Sequence, residues 1–244
     1  MTAPVAPLAG TALRGDASWW SSTWLSRQPA GFAEAVLAGA GHRRLDAGDV
    51  IVPAHDVDCG LVGVIAGSAE IRLLSGDGAA HLLSVRQAEH WCGRCDLVQL
   101  TPLDLVVRAR EVVHLVHLPA ERVRRLVREH PAAPSAFGDL VGEEATWLTT
   151  MLDAATERRA VARVARKLLA AFGPDDRSSL RLTQDELAEM TTLSRGTINR
   201  ILADFENKGA ISAGYGRLAI ADRARLRRAA GLTGDATRSA GPRR

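Results

Sequence analysis

The chain lacks the features that mark several common designs. It has three cysteines in 244 residues, Cys59, Cys92 and Cys95. That number is too low and odd for a disulfide framework, which points to a reducing compartment. No stretch approaches the roughly 18 consecutive apolar residues of a membrane span. The start has no basic patch leading into an apolar run, and its first charge is Arg14. A Gly-rich phosphate loop, a metalloprotease helix and a nucleophile elbow are all missing. We therefore expect a soluble, cytoplasmic protein without catalytic activity.

What is present is unevenly charged. Residues 1–155 carry 13 basic and 18 acidic side chains, a net of −5, and residues 156–244 carry 18 and 10, a net of +8. A mildly acidic module joined to a basic one is the footprint expected of a sensor fused to a nucleic-acid binder. Basic ends also occur in proteins that bind nothing acidic, so charge alone leaves the matter open.

Along the chain, residues 1–16 are rich in Ala, Pro and Gly, a composition expected to be disordered. Trp19, Trp20 and Trp24 follow and are expected to pack a short helix onto the next domain. Short β-type runs then cover 50–52, 61–65, 70–74, 81–85, 103–107 and 112–118, broken by Gly- and Asp-rich turns. This rhythm predicts a small β-barrel or sandwich instead of a parallel α/β sheet. The stretch 86–102 reads as a loop with one helical turn, and His55, His81, His114 and His117 read as strand residues. Pro119 and Glu121 open a short basic helix.

A longer helix over about 135–155 has Phe137, Leu140, Val141, Leu148, Met151, Leu152 and Ala155 as an apolar seam, interrupted by Glu144. The seam joins modules of different composition, so we expect a dimer interface, with a core helix of one domain as the alternative. A further helix over about 157–172 stops at Gly173-Pro174.

The informative stretch is 180–222. Thr183 and Glu186 form a capping box that starts a helix. After a tight turn, Ser194 caps a second helix that ends at Gly209. Ile198, Ile201, Leu202 and Phe205 recur on its inner face, while Arg195, Gly196, Asn199 and Arg200 occupy the other face at its start. Two helices joined this way form a helix-turn-helix. Arg can grip guanine O6 and N7, and Asn can pair with adenine. Ser194 and Thr197 stand where a helix start can hold phosphate, and Thr183 and Gln184 flank the same surface. Ala210-Ile211-Ser212 and Arg217-Leu218-Ala219-Ile220, around Gly214-Tyr215-Gly216, read as a hairpin wing, with Arg217 able to touch the backbone. A capped helix from Asp222 closes the domain.

These residues carry a resemblance. Thr183-Gln184-Asp185-Glu186-Leu187-Ala188, Leu193-Ser194-Arg195-Gly196-Thr197-Ile198-Asn199-Arg200-Ile201-Leu202, Gly209-Ala210-Ile211-Ser212 and the helix Arg163-Val164-Ala165-Arg166-Lys167-Leu168-Leu169 resemble the Crp/Fnr family of bacterial regulators. The resemblance implies an α+β fold: a jelly-roll-like β-roll of cyclic-nucleotide-binding type, a long dimerisation helix and a C-terminal winged helix-turn-helix. It implies Arg195 and Arg200 as base readers. Its implied partners are double-stranded DNA with an inverted repeat, a second copy of the chain, and RNA polymerase. The family often has Glu where this chain has Gly196, so the operator need not match the best-known half-site. The resulting division is 1–30 extension, 31–130 sensor domain, 131–156 dimerisation helix, 157–230 DNA-binding domain and 231–244 tail.

For the sensor, the family's phosphate-binding Arg-Ser pair falls on Leu103 and Asp104, and its Gly-Glu pair falls on Cys92-Gly93. Leucine cannot pair with a phosphate and aspartate repels one, so weak or absent cyclic AMP binding is expected, with Arg94 or Arg108 as substitutes. His90-Trp91-Cys92-Gly93-Arg94-Cys95 holds a Cys-x-x-Cys pair, readable as buried thiols, a redox or metal sensor, or a thiol oxidoreductase. A haem-binding branch of the family has Cys at the place of Cys92 but His where this chain has Arg94, and the iron–sulfur branch's N-terminal cysteine cluster is absent. The candidate effector residues are Trp91, Cys92, Gly93, Arg94, Cys95, Leu103 and Asp104, with Leu148 and Thr149 on the long helix.

Overall fold

The computed structural model describes residues 23–173, 179–214 and 216–232. Trp19, Trp20, Pro174, the wing residue Tyr215, the composition-biased start and the chain beyond Leu232 lie outside these described residues. Contacts divide the chain into two units that meet between Thr149 and Thr150.

The first unit opens with a 3₁₀ turn, Trp24–Arg27, and helix α1, Ala30–Gly39. Eight strands follow: β1 Gly41–Leu45, β2 Val50–Val52, β3 Gly60–Ala66, β4 Ser68–Leu74, β5 Ala80–Gln87, β6 His90–Arg94, β7 Leu105–Ala109 and β8 Val113–Leu118. They form two antiparallel sheets, in the orders β1-β8-β3-β6 and β2-β7-β4-β5. This alternation of strands between two sheets is the jelly-roll pattern. Helix α2, Ala120–Glu129, and the long α3, Ala133–Thr156, complete the run.

Two cores share the first sheet. Between the sheets lie Leu45, Ile51, Val52, Val62, Val64, Ile71, Cys92, Leu105, Val107, Val113 and Leu115, with Trp147 packed against them. On the sheet's other face, Leu61, Trp91, Val116 and Leu118 meet Trp24, Phe32, Val36, Val123, Phe137 and Leu140. The aromatic rings interlock there, with Trp24 and Trp91 centroids 5.9 Å apart in edge-on contact and Phe32 and Phe137 5.6 Å apart.

Double burial explains the main correction to the strand reading. Residues 86–102 are not a loop. They hold the end of β5 and the whole of β6, whose five residues are all buried. A strand covered on both faces shows no polar–apolar alternation, so its period is invisible in sequence. β1 was missed for a different reason: Gly-His-Arg-Arg-Leu is polar, and only Leu45 is buried. β7 begins at Leu105, leaving Leu103 and Asp104 on the preceding turn. His55 sits in a turn at φ +59°, outside any strand.

The seam expected on α3 also divides. Phe137, Leu140 and Met151 are buried in their own chain, and Glu144 is buried with them, whereas Val141, Leu152 and Ala155 stay exposed and Leu148 is half-buried. Glu144 is not an interruption. Its carboxylate takes a 2.8 Å bond from Arg86 Nη1, and that guanidinium lies 4.8 Å from the Trp147 ring centre.

The second unit contains the end of α3, α4 Ala160–Phe172, β9 Ser179–Arg181, α5 Gln184–Thr191, α6 Arg195–Asn207, β10 Ile211–Gly214, β11 Arg217–Ile220 and α7 Arg223–Ala229. α4 starts three residues later than the sequence pattern indicates, because Glu157 turns back to accept from the Arg159 amide at 2.9 Å. The wing is a three-stranded sheet of order β10-β11-β9, not a lone hairpin.

Gly93 is the tightest backbone site in the β-roll. It sits at φ +105°, and a Cβ there would lie 2.2 Å from the Gly60 carbonyl oxygen on β3. Gly93→Ala combines a disfavoured φ with a backbone clash. It should destabilise the chain by about 3 kcal/mol or more, measured as a fall in the denaturation midpoint against Gly138→Ala, where the added methyl meets nothing within 4 Å.

Candidate nucleic-acid interface and the expected effector pocket

The local chemistry of α5 and α6 sets the second unit's exposed surface. Thr183 Oγ1 accepts from the Glu186 amide at 3.1 Å, and Glu186 Oε2 accepts from the Thr183 amide at 2.7 Å, completing the capping box. α5 ends at Thr192 in the left-handed region, φ +54°, which turns the chain sharply. Arg163 on α4 secures that turn by donating from Nη1 to Thr191 O at 3.0 Å and Thr192 Oγ1 at 3.3 Å. The sequence pattern carries no sign of this brace. Ser194 then caps α6, its Oγ accepting from the Thr197 amide at 3.2 Å.

α6 is held by its inner face. Ile198, Ile201, Leu202 and Phe205 are all buried, each contributing about 1.5–3 kcal/mol through burial. With that face fixed, the helical period turns Arg195, Gly196, Asn199 and Arg200 outward, and all four are exposed. Gln184 joins them by donating to Asn199 Oδ1 at 3.3 Å. Arg195 lies 3.5 Å from the Asp185 carboxylate, a fully solvated pair that sequence reasoning did not single out. A Cβ at Gly196 would have open space around it. Arg217 is exposed on β11 and donates to Ser179 Oγ at 3.2 Å. Ser194, Thr183 and Thr197 thus spend their hydroxyls partly on capping, while the two arginines and Asn199 keep donors toward solvent.

The effector residues are not brought together. Trp91 and Cys95 belong to the core outside the β-roll, and Cys92 belongs to the core inside it. Cys92 lies within β6 and Cys95 just past its end, and the two thiols pack into different cores. Both are buried, and burial pushes the Cys92 thiol well above its ordinary pKa. That environment suppresses the Cys92 thiolate that redox and metal chemistry need. Leu103 and Asp104 are exposed on their turn, and Thr149 is exposed with its hydroxyl donating to Ala145 O at 2.8 Å. Arg94 is 1% exposed. Its Nη2 donates to Pro53 O at 3.1 Å and Leu105 O at 3.4 Å, and Nε and Nη1 have no partner among the described residues. Arg108 donates to Gly48 O at 3.3 Å.

Comparison with known proteins bears on this geometry. Residues 162–229 match the model of the Crp-like helix-turn-helix domain. A curated relative, the CRP-like cAMP-activated global transcriptional regulator of Mycobacterium tuberculosis, is 25% identical over 174 residues, covering 68% of this chain and 78% of the relative. Its C-terminal segment is thus similar to the Crp-like helix-turn-helix domain, and most of the chain is similar to a CRP-like regulator. Solved Crp/Fnr-type structures repeat its fold. FixK2 from Bradyrhizobium japonicum aligns with a TM-score of 0.62 at 16% identity, over 78% of this chain and 96% of that one. The c-di-GMP responsive global regulator CLP from Xanthomonas campestris aligns with a TM-score of 0.56 at 22% identity, over 79% and 99%. These matches support a transcription regulator with a helix-turn-helix DNA-binding domain. No helix among the described residues is long and apolar enough to cross a membrane.

The start of the Crp/Fnr motif rests on one threonine. Thr183→Ala removes an accepting hydroxyl from the α5 N-terminus and should cost about 1–2 kcal/mol, read as a lower melting temperature. Thr183→Ser, which keeps the hydroxyl, should recover most of the loss.

Proposed function

We propose that this regulator binds an inverted-repeat operator as a homodimer in the cytoplasm, reading bases with Arg195, Asn199 and Arg200. The observation that carries the reading is the outward placement of these three side chains at the capped start of α6, over a helix whose inner face is buried. Gln184 steadies Asn199, and Asp185 holds Arg195 near the helix start until DNA displaces it. Ser194, Thr197, Thr183 and Arg217 surround the readers and serve phosphate contacts. Gly196 contributes backbone and empty space, leaving one base pair unread.

The dimer reading is supported by what α3 leaves uncovered. Pro134, Gly138, Val141, Ala145, Leu148, Leu152 and Ala155 recur at alternating spacings of four and three, and all are exposed except the half-buried Leu148. That is a coiled-coil seam, distinct from the buried face of the same helix. Leu152 is 64% exposed. Two copies paired there present their recognition helices to half-sites about 34–36 Å apart.

The sensor does not take cyclic AMP in the usual way. Support comes from Leu103 and Asp104, which stand at the phosphate-binding positions and face solvent. The cation best placed to meet an anionic effector is Arg94, with two nitrogens unspent.

Selection of random duplexes by the purified protein should recover an inverted repeat. Arg195→Ala should weaken binding to that site by about 1–3 kcal/mol and relax one base pair in each half-site. Gly196→Glu should impose a new preference at one base pair, since an added carboxylate meets no obstacle. An Arg195→Ala protein with unchanged affinity and preference would defeat the assignment. Separately, Leu152→Glu should shift the chain from dimer to monomer in sedimentation, with its circular dichroism unaltered.

A further inference from the structure

A small, partly open cavity of about 40 Å³ lies at the start of β6, bordered by Trp24, Arg86, His90, Trp91, Leu140 and Glu144. It is separate from the interior of the β-roll, where Cys92 and Trp147 pack. Three buried nitrogens on its lining residues have no partner among the described residues: Trp24 Nε1, Trp91 Nε1 and His90 Nε2. Their parent side chains are 2%, 3% and 6% exposed. Buried polar groups are ordinarily satisfied, so three orphans around one cavity call for an occupant.

The chemistry of that occupant follows from the donors and acceptors. Each indole N–H can only donate. His90 Nδ1 lies 2.5 Å from the Gln87 carbonyl oxygen, which can only accept. Nδ1 therefore carries the proton, and Nε2 presents a lone pair. Burial, with Arg86 nearby, holds this imidazole neutral by lowering its pKa to about 3. The three unpartnered nitrogens thus offer two donors and one acceptor. A hydroxyl group offers the complement, two lone pairs and one O–H, whereas a water molecule has a second O–H left over. At the edge the half-buried Arg86 binds the buried Glu144 at 2.8 Å and the exposed Arg27 binds Glu143, while Glu89 stands exposed at the rim. A charged occupant placed deep among the indoles would compete with the Arg86–Glu144 pair. The indole faces and Leu140 suit a carbon skeleton.

We propose that this cavity binds a small uncharged alcohol or diol, whose oxygen accepts from Trp24 Nε1 and Trp91 Nε1 and whose hydroxyl donates to His90 Nε2. An occupant held there touches Leu140 and Glu144, both on α3. Every residue involved belongs to the first unit, so the site does not rest on the operator reading.

The test is a titration of the ¹⁵N-labelled full chain without DNA, following the indole N–H signals of its five tryptophans. The probe is 1,2-propanediol, with acetate and methylammonium as charged controls at constant ionic strength. Two signals, assigned to Trp24 and Trp91 by their loss in Trp24→Phe and Trp91→Phe, should move and saturate with the diol, while the Trp147 signal and both charged controls give no saturable change. Removing either N–H should weaken the diol by about threefold to tenfold. Should Trp91→Phe fail to fold, Trp24→Phe carries the same comparison. Non-saturating drift would mean that water alone fills the cavity. That result, saturation by a charged control instead, or undiminished affinity in a folded variant would overturn the proposal.

Discussion

α3 is the element on which the rest of the molecule depends, because one helix must satisfy several surfaces. Toward the β-roll it buries Phe137 and Leu140, lays Trp147 against the interior and sends Glu144 to Arg86. In its last turns it buries Met151 and Ala154 in the second unit. The Lys167 ammonium reaches Met151 Sδ at 3.9 Å, and burial lowers its pKa to about 8. Among the described residues, the remaining stripe from Pro134 to Ala155 is exposed except for the half-buried Leu148. A helix of 24 residues, about 36 Å long, has room for these stripes because 3.6 residues per turn distribute neighbours around the axis.

The second unit keeps its recognition face open by placing its polar braces elsewhere. Arg163 secures the turn between α5 and α6. Arg166 binds the Asp153 carboxylate at 2.7 Å, Glu157 at 2.9 Å and Ala230 O at 3.0 Å, joining the end of α3 to α4 and α7. Arg159 and Arg166 hold the Glu157 carboxyl at a pKa of about 2, with the Arg159 hydrogen bonds the larger cause. Side chains fastened this way are unavailable to DNA. Arg195, Asn199 and Arg200 differ in having only weak or solvated contacts among the described residues.

In the β-roll, polar groups are buried with incomplete partners. Arg94 fills a place beside the strands where its charge is met only by carbonyl oxygens, and the nearby cavity leaves indole and imidazole nitrogens unspent. Such groups are costly in a low-dielectric interior unless something supplies the missing bonds. The DNA-binding unit shows fewer such debts.

Local signals were enough for the helix-turn-helix. A capping box, a serine cap, an apolar period and a terminal glycine all act within a few residues, so their geometry is written in sequence spacing. The strands with one polar face were legible by alternation. β6 was not, because its burial on both faces comes from elements far away in sequence, the 3₁₀ turn at Trp24 and helix α3. The divergence of Cys92 and Cys95 was hidden for the same reason: their spacing suggests a pair until tertiary packing assigns them to different cores. The division of the α3 seam, the role of Glu144 and the cavity at His90 were likewise decided by tertiary packing. Sequence periodicity marks which residues avoid water, and only the assembled chain decides which neighbour each of them meets.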